Sequence, residues 1–222
     1  MQITEMSIPD AYRITPDPVP DRRGVFLEHW RQSEFTEVTG YPLTIGQINY
    51  SVSKKNTIRG IHGTVTPPGQ AKLVTCVRGA VLDVLVDLRV GSPTFGRYEI
   101  TLQEAASGLA VYFAEGLGHA FLTLTDDTCV NYVCSTEYVP GTMVDIQAFD
   151  PAIGIPWNLS GEPVMSDKDK VAPTLHEAAE AGLLPTYEAC RRIYRDLAAR
   201  ELSASSYGAG QAAQSTEDSR RG

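Results

Sequence analysis

A chain of 222 residues with a formal net charge of −8, 42% hydrophobic and 21% charged residues, has the composition of one ordinary globular domain with room for a sizeable core. The acidic balance excludes a general nucleic-acid binder, which needs a basic face to neutralise phosphates; a small anionic ligand held by a few local cations remains compatible with it. No apolar run reaches the ~20 residues of a membrane helix, and the opening MQITEMSIPDAYRI has neither the basic nor the apolar region of a secretory leader, so no membrane partner and a cytoplasmic location are expected.

Residues 1 to about 20 read as a proline-rich arm with short extended pieces, able to supply a strand to a neighbour's sheet edge. From Phe26 to about Tyr138 short apolar or alternating runs are split by Gly, Pro and Asp. They are Leu43–Ser53, Ala71–Val77, Ala80–Leu88, Leu109–Ala114, His119–Leu124 and Thr128–Glu137. Many short strands at this spacing, with no helical pattern alternating between them, predict an all-β sandwich or barrel rather than a parallel α/β sheet. After Asp150 the chain becomes loop-rich. Thr174-Leu-His-Glu177 is a capping box that opens a helix, Gly182 and Pro185 punctuate it, and a second helix is expected from about Thr186 to Arg200. The organisation expected is one domain over 1–202 and a small, polar, aperiodic tail over 203–222 that is disordered.

Polarity at unexpected positions marks the residues of interest. By the period of two, Lys72 shares a strand face with Val74 and Cys76, and Tyr132 shares one with Val130 and Cys134. A lysine on an apolar face is costly to bury unless it is paired, snorkelling or functional. The four histidines are His29, His62, His119 and His176, with no His-x-His pair, so a metal site is not expected from the ligand count. His62 lies in Arg59-Gly-Ile-His62, close to Arg59 and Lys72. Two readings stand: a satisfied core histidine in a β-turn region, or a base beside two cations, suited to taking a proton from carbon next to a carbonyl and steadying the enolate.

Blander readings attach to other groups. Asp83 and Asp87 alternate with apolar residues and are expected to face outward. Lys54 and Lys55 read as a solvated loop, His29 and His176 as surface residues, and Trp30 and Trp157 as either packing or base-stacking groups. Cys76, Cys129, Cys134 and Cys190 form no C-x-x-C pair and read as reduced, mostly buried thiols. No G-x-G-x-x-G fingerprint of a dinucleotide cofactor follows a strand.

A set of blocks in order resembles the dTDP-4-dehydrorhamnose 3,5-epimerase family over roughly residues 20 to 170. The blocks are Asp21-Arg-Arg-Gly-Val-Phe-Leu-Glu28, Gln47-Ile-Asn-Tyr-Ser51, Arg59-Gly-Ile-His62, Gln70-Ala-Lys-Leu-Val74 and Gly79 to Gly96. Gly116-Leu-Gly-His-Ala-Phe121, Tyr132, Tyr138-Val-Pro140 and Ser166-Asp-Lys-Asp169 complete it. The resemblance implies a cupin-like antiparallel barrel (jelly roll) with C-terminal helices, a homodimer sharing N-terminal strands, and a dTDP-4-keto-6-deoxy sugar as substrate, with no metal or organic cofactor. It implies His62 as the base, Asp169 as its orienting partner, Tyr132 as the acid on the opposite face, and Lys72, helped by His119, at the enolate oxygen. It also implies Arg23, Phe26, Glu28, Gln47, Asn49, Arg59, Tyr138 and Lys168 as contacts to the nucleotide, diphosphate and sugar. The chain departs from the family pattern at Gly63-Thr64, where an aromatic-Gln pair is usual, at Met143, where an acidic residue is common, and at Gln147-Ala-Phe-Asp150. These departures bear on recognition and on whether C3, C5 or both are inverted. Within the same fold a sugar-nucleotide 3,4-ketoisomerase uses related chemistry. A non-catalytic nucleotide-sugar-binding barrel, and a metal-dependent cupin oxygenase, are the readings from other classes.

Overall fold

The computed structural model describes residues 1–218, with side chains described to residue 203. The chain runs β1 (Gln2–Glu5), β2 (Ala11–Thr15), β3 (Pro18–Asp21), β4 (Gly24–Leu27), α1 (Gln32–Thr39), β5 (Gln47–Ser53), β6 (Ile58–Thr64), β7 (Lys72–Arg78) and β8 (Ala80–Asp87). It continues with β9 (Tyr98–Glu104), a 3-10 turn at Ala105–Ser107, β10 (Ala110–Phe113), β11 (Leu117–Thr123), β12 (Thr128–Cys134), β13 (Met143–Asp145), α2 (Asp167–Lys170), α3 (Leu175–Glu180) and α4 (Tyr187–Asp218). One sheet has the order β1-β2-β10-β7-β12-β5, the other β13-β6-β11-β8-β9, and β3-β4 is a separate hairpin. Every ladder between named strands is antiparallel.

Alternation along the strands builds three layers of core. Val74 and Cys76 of β7, Val111 and Phe113 of β10, Leu117 and Phe121 of β11, and Val130 of β12 point between the sheets. The opposite face of the six-stranded sheet carries Leu73, Ala110 and Tyr112, which pack on Phe35 of α1 and Cys190 and Tyr194 of α4. The opposite face of the five-stranded sheet carries Val84, Val86, Ala120 and Leu122, covered by Ile153, Trp157, Leu175 and Ala178 of the C-terminal segment. Trp157 is therefore a packing residue, its Nε1 donating to the Ala148 carbonyl at 2.8 Å. Trp30 also packs, with its ring 4.5 Å from that of Phe35.

This layering corrects the expectation for Asp83 and Asp87. In β8 the fully apolar face (Leu82, Val84, Val86) is the one covered by the C-terminal segment, so the face bearing both aspartates turns into the barrel. Asp83 is 1% and Asp87 0% exposed. Asp87 is satisfied by Arg89, Ser92 and Thr94. Arg89, itself fully buried, also reaches Asp10 at 2.7 Å, and Arg191 of α4 reaches the other oxygen of Asp10 at 2.9 Å. This network ties the N-terminal arm, β8 and α4 together, and removing one member of such a buried group costs about 3–5 kcal/mol.

Other differences are local. β1 and β2 of the arm pair with β10 of their own chain, which leaves only the β3-β4 hairpin outside both sheets. His29 is half-buried rather than at the surface, its Nε2 2.6 Å from Thr75 Oγ1, and burial pushes its pKa down. His176 is exposed, as are Lys54 and Lys55. The Thr174–Glu177 capping box forms. Helix α4 does not stop near Arg200 but continues to Asp218, through a stretch with no proline to end it. The expectation of a disordered tail over 203–222 concerns side chains from 204 on and residues 219–222 that lie outside the described part of the chain. All four cysteines are free; Cys129 is half-buried and the other three are buried.

Candidate active site

The central feature of the site is strand β6, which the alternating pattern did not reveal. His62 pairs with His119 of β11, and Arg59 with Phe121, so Gly60 and Ile61 of β6 together oppose the single Ala120 of β11. This bulge at Gly60–Ile61 breaks the period of two. It places Ile58 and Ile61 together in the core beneath the five-stranded sheet, and Arg59 and His62 both opposite inward-facing residues of β11. Gly60 has φ of +113°, and a Cβ there would run into the His119 carbonyl and Ala120. Only glycine fits, and this irregularity sets where His62 stands. His62 thus stands within a strand rather than in a turn.

His62 Nε2 lies 2.8 Å from Asp169 Oδ1. Asp169 is held on the short helix α2, whose first turn is capped by Ser166 Oγ accepting from the Asp169 N–H at 3.1 Å. Burial alone would raise the Asp169 carboxyl, but the His62 hydrogen bond and charge, with Ser166 and Lys168, outweigh it and hold its pKa below the ordinary carboxylate value. An ionised carboxylate only accepts, so Nε2 carries a proton and Nδ1 of the neutral ring is left as the basic nitrogen.

A second carboxylate approaches the same nitrogen. Asp145 is the cross-strand partner of His62 from β13, with Oδ1 3.7 Å from Nε2 and 2.7 Å from Lys168 Nζ. Sequence reasoning missed Asp145, because nothing local to it signals the long-range pairing of β13 with β6. His62, Asp145 and Asp169 could bring ligand atoms within 4.8 Å of one another around an ion. The cation this cluster already contains is the Lys168 ammonium, and one nitrogen with two carboxylates is a sparse set for a transition metal.

His119 is buried, its Nε2 2.6 Å from Asp83 Oδ2. Its ring stacks on Phe113 at 5.2 Å and stands edge-on to Tyr132 at 6.2 Å. Tyr132 OH is 3.3 Å from Ser51 Oγ. Burial pushes the phenol up to about 12, against the opposing effects of Ser51 and Arg59. It is therefore a proton donor throughout the neutral range.

Lys72 has Phe113 and Cys134 as its cross-strand partners, and its ammonium lies 6.0 Å from the Phe113 ring. Among the described residues no carboxylate is within ion-pair distance of it, and burial drives its pKa down. Of the three accounts of a lysine on an apolar face, pairing is excluded. The ammonium lines a cleft of about 490 Å³ together with Gln47, Asn49, Ser51, Tyr132, Tyr138, Met143 and Lys168. An unpaired, partly desolvated cation in a cleft is a site for a developing negative charge.

Of the eight expected contacts, Gln47, Asn49, Tyr138 and Lys168 line this cleft. Gln47 bridges Asn49 Oδ1 and the Tyr138 N–H, both at 2.8 Å. Arg59 is exposed, its Nε 3.0 Å from Ser53 Oγ. Arg23 and Phe26 are not at this cleft; they lie on the exposed β3-β4 hairpin, where Arg23 pairs with Asp21, while Glu28 pairs with Arg31. Of the departures from the family pattern, Met143 lines the cleft. Gly63 lies against Leu88, where a Cβ would come within 2.9 Å of Cδ1.

Comparison with known proteins bears directly on this arrangement. A family model described as dTDP-4-dehydrorhamnose 3,5-epimerase matches residues 5–177. A dTDP-4-dehydro-6-deoxyglucose 3-epimerase from Streptomyces sp is 48% identical over 184 residues, 83% of this chain and 94% of the relative. A dTDP-4-dehydrorhamnose 3,5-epimerase from Mycolicibacterium smegmatis is 45% identical over 197 residues, 89% of this chain and 97% of the relative. The crystal structure of a variant 3'-monoepimerase from Streptomyces bikiniensis in complex with dTDP superposes with a TM-score of 0.85 at 43% identity, covering 89% of this chain and 99% of that one.

Proposed function

We propose a reaction course from the premise that this chain belongs to the dTDP-4-dehydrorhamnose 3,5-epimerase family. It is a 3- or 3,5-epimerase of dTDP-4-keto-6-deoxyhexoses, and a role is assigned to each group of the site. The observation that carries the mechanism is the His62–Asp169 pair, which fixes the free nitrogen of the base. His62 Nδ1 takes the proton from the carbon beside the C4 ketone, and Asp169 stabilises the imidazolium that forms. The electron pair passes to the C4 oxygen, where the Lys72 ammonium meets it; His119 adds a second donor when its ring is cationic, with Asp83 as counter-ion. Tyr132 returns a proton to the opposite face, and Ser51 beside its hydroxyl orients the phenol. Proton out on one face and in on the other is inversion, and it is redox-neutral, so the chemistry calls for no nicotinamide or metal. Gln47, Asn49, Arg59, Tyr138 and Lys168 are assigned to the nucleotide, diphosphate and sugar.

The test is incubation with dTDP-4-keto-6-deoxyglucose in D2O, followed by NMR. Deuterium should enter at C3, with or without C5, with inversion at the labelled carbon and the ketone still at C4. A ketone found at C3 would identify a ketoisomerase instead, and no incorporation would sink the reading.

Lys72 predicts the alkaline behaviour. The ammonium is lost as pH rises through its depressed pKa, whereas Tyr132, at about 12, stays protonated there. kcat/KM should therefore fall on an alkaline limb belonging to Lys72. Lys72→Arg, whose charge persists, should carry that limb to higher pH even if the plateau is lower. An unmoved limb would assign it elsewhere.

A cytoplasmic homodimer is part of the same proposal. The β3-β4 hairpin leaves Val19, Val25 and Phe26 59%, 59% and 66% exposed, and β5 exposes Ile48 and Tyr50. Association would cover these residues and could bring Arg23, Phe26 and Glu28 to a partner's cleft. Light scattering should give about twice 24.1 kDa; a fully active monomer at micromolar concentration would contradict it.

A further inference from the structure

Asp145 is not needed to hold His62 in place, because Asp169 already accepts from Nε2 at 2.8 Å and is the more buried carboxylate. Yet its Oδ1 lies 3.7 Å from the same nitrogen. The same Asp145 oxygen accepts from the Lys168 ammonium at 2.7 Å. Lys168 is 55% exposed and lines the substrate cleft, so it can turn toward an incoming anion at little cost, as a lysine on a flexible stem does. Asp145, on the edge strand β13 and only 21% exposed, has one other cationic neighbour to turn to, the imidazolium of His62.

We propose that Asp145 is a positioning residue that couples nucleotide binding to the base: Lys168 neutralises it in the empty site, and a bound diphosphate draws Lys168 away and releases the carboxylate to His62. The inference rests on reading Lys168 as a diphosphate contact. It resolves a conflict in the demands on the base. Before substrate arrives the ring must be neutral, because a ring protonated by solvent cannot abstract a proton. Once the substrate is bound, a stronger base is useful. A carboxylate masked by an exchangeable ammonium meets both demands, since an opposite charge within about 4–6 Å favours the charged form. The other charged or titratable groups facing His62 are fixed: Asp169 on α2, and His119 with Asp83 from β11 and β8. Of these groups, only the Asp145–Lys168 pair contains an exposed member.

The decisive experiment is a double-mutant cycle read by NMR titration of the His62 imidazole in the ligand-free protein, with His62→Gln to assign the resonance. Lys168→Met should raise the titration midpoint by about one pH unit, Asp145→Asn should lower it, and Lys168→Met should have little effect in the Asp145→Asn background. A rise of equal size in both backgrounds would mean that Lys168 acts on His62 directly, and would overturn the proposal. Addition of dTDP is the second arm. It should move the midpoint upward in wild type and leave it nearly unmoved in Asp145→Asn, with Asp145→Glu restoring the response; equal responses in wild type and Asp145→Asn would also overturn the proposal. In turnover, Asp145→Asn should shift the acid limb of kcat/KM. Failure of the functional reading is separable, because it would show as absence of turnover by the wild-type protein, a result the ligand-free cycle does not depend on.

Discussion

His62→Ala should lose both deuterium exchange and inversion. Each begins with removal of a proton from carbon, and in this site one nitrogen is arranged to take it. Asp169 occupies Nε2 and leaves Nδ1 free, while the other groups at the cleft are unsuited to the step. Tyr132, pushed up to about 12, is a poor base at neutral pH, and Lys72 is the cation proposed for the enolate oxygen. Loss of a general base typically costs about 10²–10⁴-fold, and more where the base works with a preorganised charge site. Alanine also removes the His62 hydrogen bond from the 4%-exposed Asp169 side chain, and losing one partner of a buried acceptor costs about 1–3 kcal/mol. The matched variant is His62→Gln, whose amide can still donate to Asp169 while lacking the basic nitrogen. It should retain the wild-type melting temperature and fail to exchange. Asp169→Asn should lie between these variants and wild type, with a ring less basic and less firmly oriented. Exchange by His62→Gln near the wild-type rate would remove His62 from the role of base.

Which parts of this site could be read from sequence follows from which interactions are local. Strands β7, β8, β10, β11 and β12 were legible, because a period of two with apolar residues on one face needs only the strand itself. Lys72 and Tyr132 stood out for the same reason, as polar groups in register with Val74 and Val130. Strand β6 was hidden, since its bulge at Gly60 breaks the alternation and makes Arg59-Gly-Ile-His62 look like a turn. The facing of β8 was misread because both of its faces are covered. Asp83 and Asp87 point inward, each paid for by a partner, His119 and Arg89, that period-2 reasoning does not supply. Asp145 carried no local signal at all. Its importance comes from the β13–β6 ladder and from a lysine in α2, contacts made only when distant segments meet. The family resemblance pointed to His62, Tyr132 and Asp169 together, whereas the residues alone marked His62 as one of two readings.

Tyr132→Phe separates the two halves of the reaction. Substitution removes one hydroxyl and keeps the ring, so the packing beside His119 is preserved. The lost hydrogen bond is the long one to Ser51, at 3.3 Å, and the folded state should be little affected. The base, its Asp169 partner and the Lys72 ammonium all remain, so the enolate still forms. What is lost is the proton on the face opposite His62. His62, once its proton has exchanged with solvent, can return only to the face it came from. The variant should therefore wash deuterium into the sugar with the starting configuration retained, while inversion falls by about 10²–10⁴-fold, the usual contribution of a positioned general acid. Two readings on one sample decide it, label content by mass and configuration by proton coupling constants. Inversion near the wild-type rate would mean that another donor serves the second face. Loss of exchange together with inversion would mean that Tyr132 acts before the enolate forms rather than after it.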